Sequence, residues 1–125
     1  MKKLLIASIV ALALPTAAFA DVAAELTTAS THAGFAAKAP GIDMVHMHLH
    51  HVVNCLVGPS GTGFDATNAN PCAKAGNGAI PDASAAQKAK LQTALASANA
   101  GLAATDLAAA QKDAADAGAA LDGAK

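Results

Sequence analysis

Residues 43–57 read Asp43-Met44-Val45-His46-Met47-His48-Leu49-His50-His51-Val52-Val53-Asn54-Cys55-Leu56-Val57, and Gly58-Pro59 follows. At 100° per residue, Val45, Leu49, Val52, Val53 and Leu56 fall on one face, which marks a helix with one side in a core. Asp43, or Gly41 beside it, can start this helix, and Gly58-Pro59 ends it. Four histidines occupy the remaining arcs. His46 and His50 flank the apolar face on one side. His48 and His51 flank it on the other, with Met44 and Cys55 in the same sector, and Met47 and Asn54 fall at the back.

Toward the N-terminus, Val22, Leu26, Ala29, Ala33 and Ala36 stand at helical spacing across residues 22–38, and Pro40-Gly41 breaks that helix. Toward the C-terminus, residues 58–82 change character. They hold five of the ten glycines together with Pro59, Pro71 and Pro81. A loop of that length needs a tie. Cys55 and Cys72, the only two cysteines, supply one if they are bonded, and Phe64 and Ile80 are its apolar anchors. Closing a loop of this size is worth about 3 kcal/mol in the chain-entropy account. From residue 84 onward alanine dominates. Asp82 or Ser84 caps a third helix with a stripe of Leu91, Leu95, Ala98 and Leu102, and Gly101 is placed for its C-terminal turn. Thr105 caps a fourth, with Asp106 at its positive end and Leu107, Ala110, Ala114, Ala117 and Leu121 on one seam. The short connection makes these two an antiparallel hairpin.

The fold expected is therefore all-α: a single helical domain over 21–125, built as a four-helix up-down bundle of two helical hairpins. The histidine-bearing helices cover about 22–57, the disulfide-clamped Gly/Pro-rich loop 58–82, and the Ala-rich hairpin 83–122. Composition agrees. Hydrophobic residues make up 54 % of the chain but aromatics only 2 %, with no Trp and no Tyr, and 31 alanines lie within 21–125. Alanine favours helix over strand. Small alanine seams let helix backbones approach closely, but such a core gains much from a disulfide.

Residues 1–20, MKKLLIASIVALALPTAAFA, have the form of a signal peptide. Lys2 and Lys3 precede an apolar run too short to span a bilayer comfortably, and Ala18-Phe19-Ala20 gives a small-x-small cleavage site. Cleavage after Ala20 would deliver a periplasmic or secreted product without a stable membrane anchor. In that oxidising compartment a disulfide between Cys55 and Cys72 is favoured over two thiolate ligands. Without Lys2 and Lys3, six lysines face nine acids and there is no arginine. A mildly acidic domain without aromatic platforms argues against nucleic-acid binding.

The chemistry concentrates in the histidines. An i,i+4 pair, His46 and His50, places two imidazoles one turn apart, as when one helix supplies two ligands to a metal. His48 and His51 can do the same at i,i+3, and His32 is a third ligand if the first two helices pack antiparallel. Neutral imidazole suits Cu, Ni and Zn, the candidate ions here. Met44 and Met47 read first as core filling, with soft thioether ligation as the alternative. Glu25, two turns before His32, is a candidate ligand or hydrogen-bonding partner of one. Enzymatic signatures are missing: there is no HExxH, no CxxCH and no serine with a His/acid pattern. Asp65, Asn68 and Asn70 fit Asx turns better than a calcium loop.

The run His46–Gly58, with Asn70-Pro71-Cys72 and Gly76-Asn77-Gly78-Ala79-Ile80-Pro81-Asp82, resembles a pattern in small exported proteobacterial proteins. In architecture and composition the chain is also similar to the bacterial small metal-binding proteins, four-helix periplasmic metal scavengers. Those proteins spread histidine over all their helices, whereas here the C-terminal half has none, which favours one localised site over high-capacity buffering. The expectation is a non-enzymatic transition-metal protein for sequestration, delivery or sensing, with the metal ion as partner. The alternatives are an interaction or stress module with a pH-responsive histidine surface, engaging a protein partner or a second copy, and non-covalent haem held by two imidazoles.

Overall fold

The computed structural model describes residues 20–125, so the expected leader, Ala20 apart, lies outside the described residues. Five helices and no strands are found among them: α1 Val22–Lys38, α2 Ile42–Val57, α3 Ala79–Asp82, α4 Ala85–Ala103 and α5 Leu107–Asp122. None is long and apolar enough to cross a membrane. The all-helical expectation holds, with one short helix, α3, added at the end of the loop.

Caps explain most helix starts. The Asp21 side chain accepts from the Ala24 N–H at 2.9 Å and begins α1. Ser84 and Gln87 form a reciprocal capping box on α4. Asp106, not Thr105, caps α5, accepting from the Ala109 N–H at 2.9 Å. Gly41 begins α2 without a side-chain cap. Gly101 does not end α4, which continues to Ala103. Instead the glycine makes room: a Cβ there would lie 2.6 Å from Leu49 Cδ1.

Helix α1 packs on α2 and α5, and α4 packs on α5 and α2. The seams are those of the alanine pattern. Leu26, Ala29, Ala33 and Ala36 of α1, Ala110, Ala114, Ala117 and Leu121 of α5, and Leu91, Ala94 and Ala98 of α4 are all buried. Leu95 and Leu102, expected in the α4 stripe, are only partly buried against this core. From α2, Val45, Leu49, Val52, Val53 and Leu56 face inward as their spacing predicts.

The long loop is held at four places. The Cys55–Cys72 disulfide is the first. Asn54, placed at the back of α2 by the sequence reading, is in fact fully buried. Its Nδ2 donates to the carbonyls of Asp65 (2.9 Å) and Ala69 (3.1 Å), and its Oδ1 accepts from the Asp65 N–H (2.9 Å). Third, Gly58 and Gly78, both at positive φ, press backbone against backbone, and a Cβ on Gly58 would lie 1.7 Å from the Asn77 oxygen. Fourth, Glu25 of α1 accepts the Gly78 N–H at 2.9 Å. The Asx turns are present, Asp65 on the Thr67 N–H and Asn70 on the Cys72 N–H.

Candidate metal centre

Helices α1 and α2 fold back on one another through the three-residue connection Ala39–Gly41. His32 and His48 are equidistant in sequence from Pro40, so the turn brings them level. Their Nδ1 atoms are 3.1 Å apart. His51, nearly one turn further along α2, brings its Nδ1 to 3.2 Å from the same His32 atom. One ring nitrogen from each of His32, His48 and His51 lies within 4.8 Å of the others, so the three are close enough to bind one metal ion. All three side chains are partly buried.

Protons alone satisfy this arrangement poorly. A ring nitrogen either carries one hydrogen or offers one in-plane lone pair, so His32 Nδ1 can make only one good hydrogen bond with its two neighbours. A cation between the rings accepts all the lone pairs at once. With metal–nitrogen bonds of about 2.0–2.1 Å, two ligand nitrogens on a tetrahedral ion stand about 3.3 Å apart. The observed 3.1 and 3.2 Å separations fall close to that edge.

The surroundings of His32 and His51 favour their neutral forms. Burial, followed by the nearby charges of His51 and His48, lowers the His32 pKa to about 4. His51 is lowered as well, first by burial and then by His48 and His50. Neutral imidazole is the ligating form. The structure also places Phe35, a residue the sequence reading passed over, against the triad. Its ring centroid is 5.7 Å from that of His32 and 5.3 Å from that of His48. The signal was its i,i+3 spacing from His32, on the exposed side of an alanine helix.

The other sequence candidates lie elsewhere. His46 and His50, read as an i,i+4 ligand pair, are drawn to different partners. His46 Nε2 donates to the Ala104 carbonyl at 3.1 Å, tying α2 to the α4–α5 connection. His50 Nδ1 lies 3.4 Å from Asp65 Oδ2 in the loop. Hydrogen bonds from the Thr67 side chain and backbone and from Asn68 hold the Asp65 pKa down at about 2, with His50 a minor contributor. Glu25 does not turn toward His32. It is buried against Gly76 and Gly78 at the far end of the loop. Met44 and Met47 do not fill the core; both are exposed on α2.

No protein-family model, curated protein or solved structure matches the chain.

Proposed function

We propose that this protein binds a single transition-metal ion through His32, His48 and His51, in an exported, non-enzymatic role of sequestration, delivery or sensing. The observation that carries the reading is the convergence of two ring nitrogens on His32 Nδ1 at 3.1 and 3.2 Å. That separation suits a compact ion better than haem, whose iron would push two opposed ligand nitrogens about 4 Å apart on bonds of about 2 Å. Export rests on the form of residues 1–20, and an oxidising compartment accords with the Cys55–Cys72 bond. On this reading the four long helices make an up-down bundle whose first hairpin carries the site and whose second is scaffold.

Titration of the oxidised protein with Cu, Ni and Zn tests the site. His32→Ala should weaken micromolar-or-tighter binding at least tenfold, since one of three ligands is lost. His46→Ala should change affinity less than twofold, because its imidazole holds the Ala104 carbonyl. Equal affinity in the wild type and in His32→Ala would remove the triad as the site.

A further inference from the structure

Three large hydrophobic side chains are exposed among the described residues: Phe35 at 53 %, Met44 at 46 % and Met47 at 41 %. Phe35 adjoins the histidine triad, and helical spacing sets the two methionines one turn from two of its members. Phe35 meets His32 edge to face and His48 at a tilt. Met44 precedes His48 by four residues and Met47 precedes His51 by four, so each stands one helical turn from a ligand on nearly the same side. The two methionines also line an open cavity of about 620 Å³ with Pro40, Gly41, Ile42 and Asp43, where solvent reaches them. The other large apolar side chains of the described residues are buried or partly so. The exposed ones are gathered at one place, and two are thioethers.

We propose that the triad is a site for monovalent copper, Cu(I), and that Met44 and Met47 add thioether sulfur to the bound ion. The inference rests on the triad reading above and names its ion and its further ligands. Two independent properties favour Cu(I) over the divalent alternatives. The first is ligand softness: three imidazoles accept Zn, Ni or Cu, whereas thioether sulfur selects Cu(I). Methionine also has the reach, with three rotatable bonds and freedom at the surface. The second is charge. The cluster contains no carboxylate. A neutral ligand set leaves the ion's charge uncompensated in a partly buried site beside a phenyl ring. The desolvation cost grows with the square of the charge, so a divalent ion pays about four times the penalty of a monovalent one.

The test uses the intact oxidised protein, with Cu(I) supplied as its acetonitrile complex under anaerobic conditions and no thiol reductant present. Affinity is read by competition with a Cu(I)-selective chelator, and Zn(II) affinity is measured separately. In the Met44→Leu/Met47→Leu double variant, which keeps volume at exposed positions, Cu(I) affinity should fall at least tenfold and Zn(II) affinity should change less than twofold. X-ray absorption of the copper-loaded wild type should show a Cu–S component that the double variant lacks. Unchanged Cu(I) affinity in the double variant would overturn the thioether role, while the histidine site would stand if His32→Ala still abolished binding. Failure of the wild type to bind Cu(I) would overturn this proposal, and failure to bind any of Cu, Ni and Zn would overturn the triad reading as well.

Discussion

Glu25 and Asn54 are the two fully buried polar side chains of the described residues, and they are handled in opposite ways. Asn54 spends both ends of its amide on loop backbone. Glu25 uses one oxygen for the Gly78 N–H, and its Oε2 has no partner among the described residues. Burial is the main reason its pKa is raised, and the nearby carboxylates of Asp82 and Asp21 add to the shift. A raised folded-state pKa means the folded protein holds this proton more tightly than the unfolded chain. Its stabilising contribution is then complete below the unfolded value near 4.5 and is lost as pH rises through the folded value. Glu25→Gln removes the charge at constant size. The variant should match the wild type in denaturant midpoint below pH 4.5 and exceed it at neutral pH, with the gap widening as pH rises. A constant gap across that range would show that Glu25 titrates in the folded state as it does in the unfolded one. Asn54→Ala should cost about 2 kcal/mol in urea unfolding, since it strips several loop groups of their buried partner.

At the scale of the element, α2 serves four neighbourhoods with one helix. Its apolar face meets the core, His48 and His51 meet α1, His50 and Asn54 meet the loop, and His46 meets the α4–α5 connection. The 100° periodicity placed each residue on its arc, and the core arc was read correctly from Val45, Leu49, Val52, Val53 and Leu56. The arcs say nothing of which group waits opposite. His46 and His50 have suitable ligand spacing, but the carbonyl of Ala104 and the carboxylate of Asp65 occupy their sides. The same logic governs the glycines of the Ala-rich helices. By propensity alone, Gly→Ala inside a helix gains about 1 kcal/mol. At Gly118 the nearest atom to a new Cβ is Ala33 Cβ at 3.5 Å, ordinary contact, so Gly118→Ala should raise stability by up to about 1 kcal/mol. At Gly101 the new Cβ would stand 2.6 Å from Leu49 Cδ1 and 3.2 Å from Asp113 Cβ. Overpacking costs about 1–3 kcal/mol, so Gly101→Ala should lower the thermal midpoint. Opposite signs for these two substitutions, measured by thermal unfolding, are the expected result.

For the molecule as a whole, the core is small in side-chain volume. Leucine, valine and alanine fill it, and no aromatic ring is among the largest buried groups of the described residues. The disulfide therefore carries a large share of the stability. Reduction, or Cys55→Ala with Cys72→Ala, should cost about 3 kcal/mol through the entropy of the unfolded loop, seen as a lower denaturant midpoint; an unchanged midpoint would show that Asn54 and the glycine crossing hold the loop unaided. Much of this organisation was legible in the residues. Helix extents follow from alanine propensity, apolar spacing and Gly/Pro breaks. With only two cysteines, the bond has one pairing. Histidine content singles out α1 and α2. Which histidines cluster was decided by tertiary structure. The turn at Pro40 sets the register that levels His32 with His48, and groups from other elements claim His46 and His50. Exposure of Met44 and Met47 was likewise settled by packing, because among the described residues no neighbouring helix covers that side of α2. Local periodicity fixes the direction of a side chain from its own helix axis, and its chemistry depends on what the rest of the chain brings to meet it.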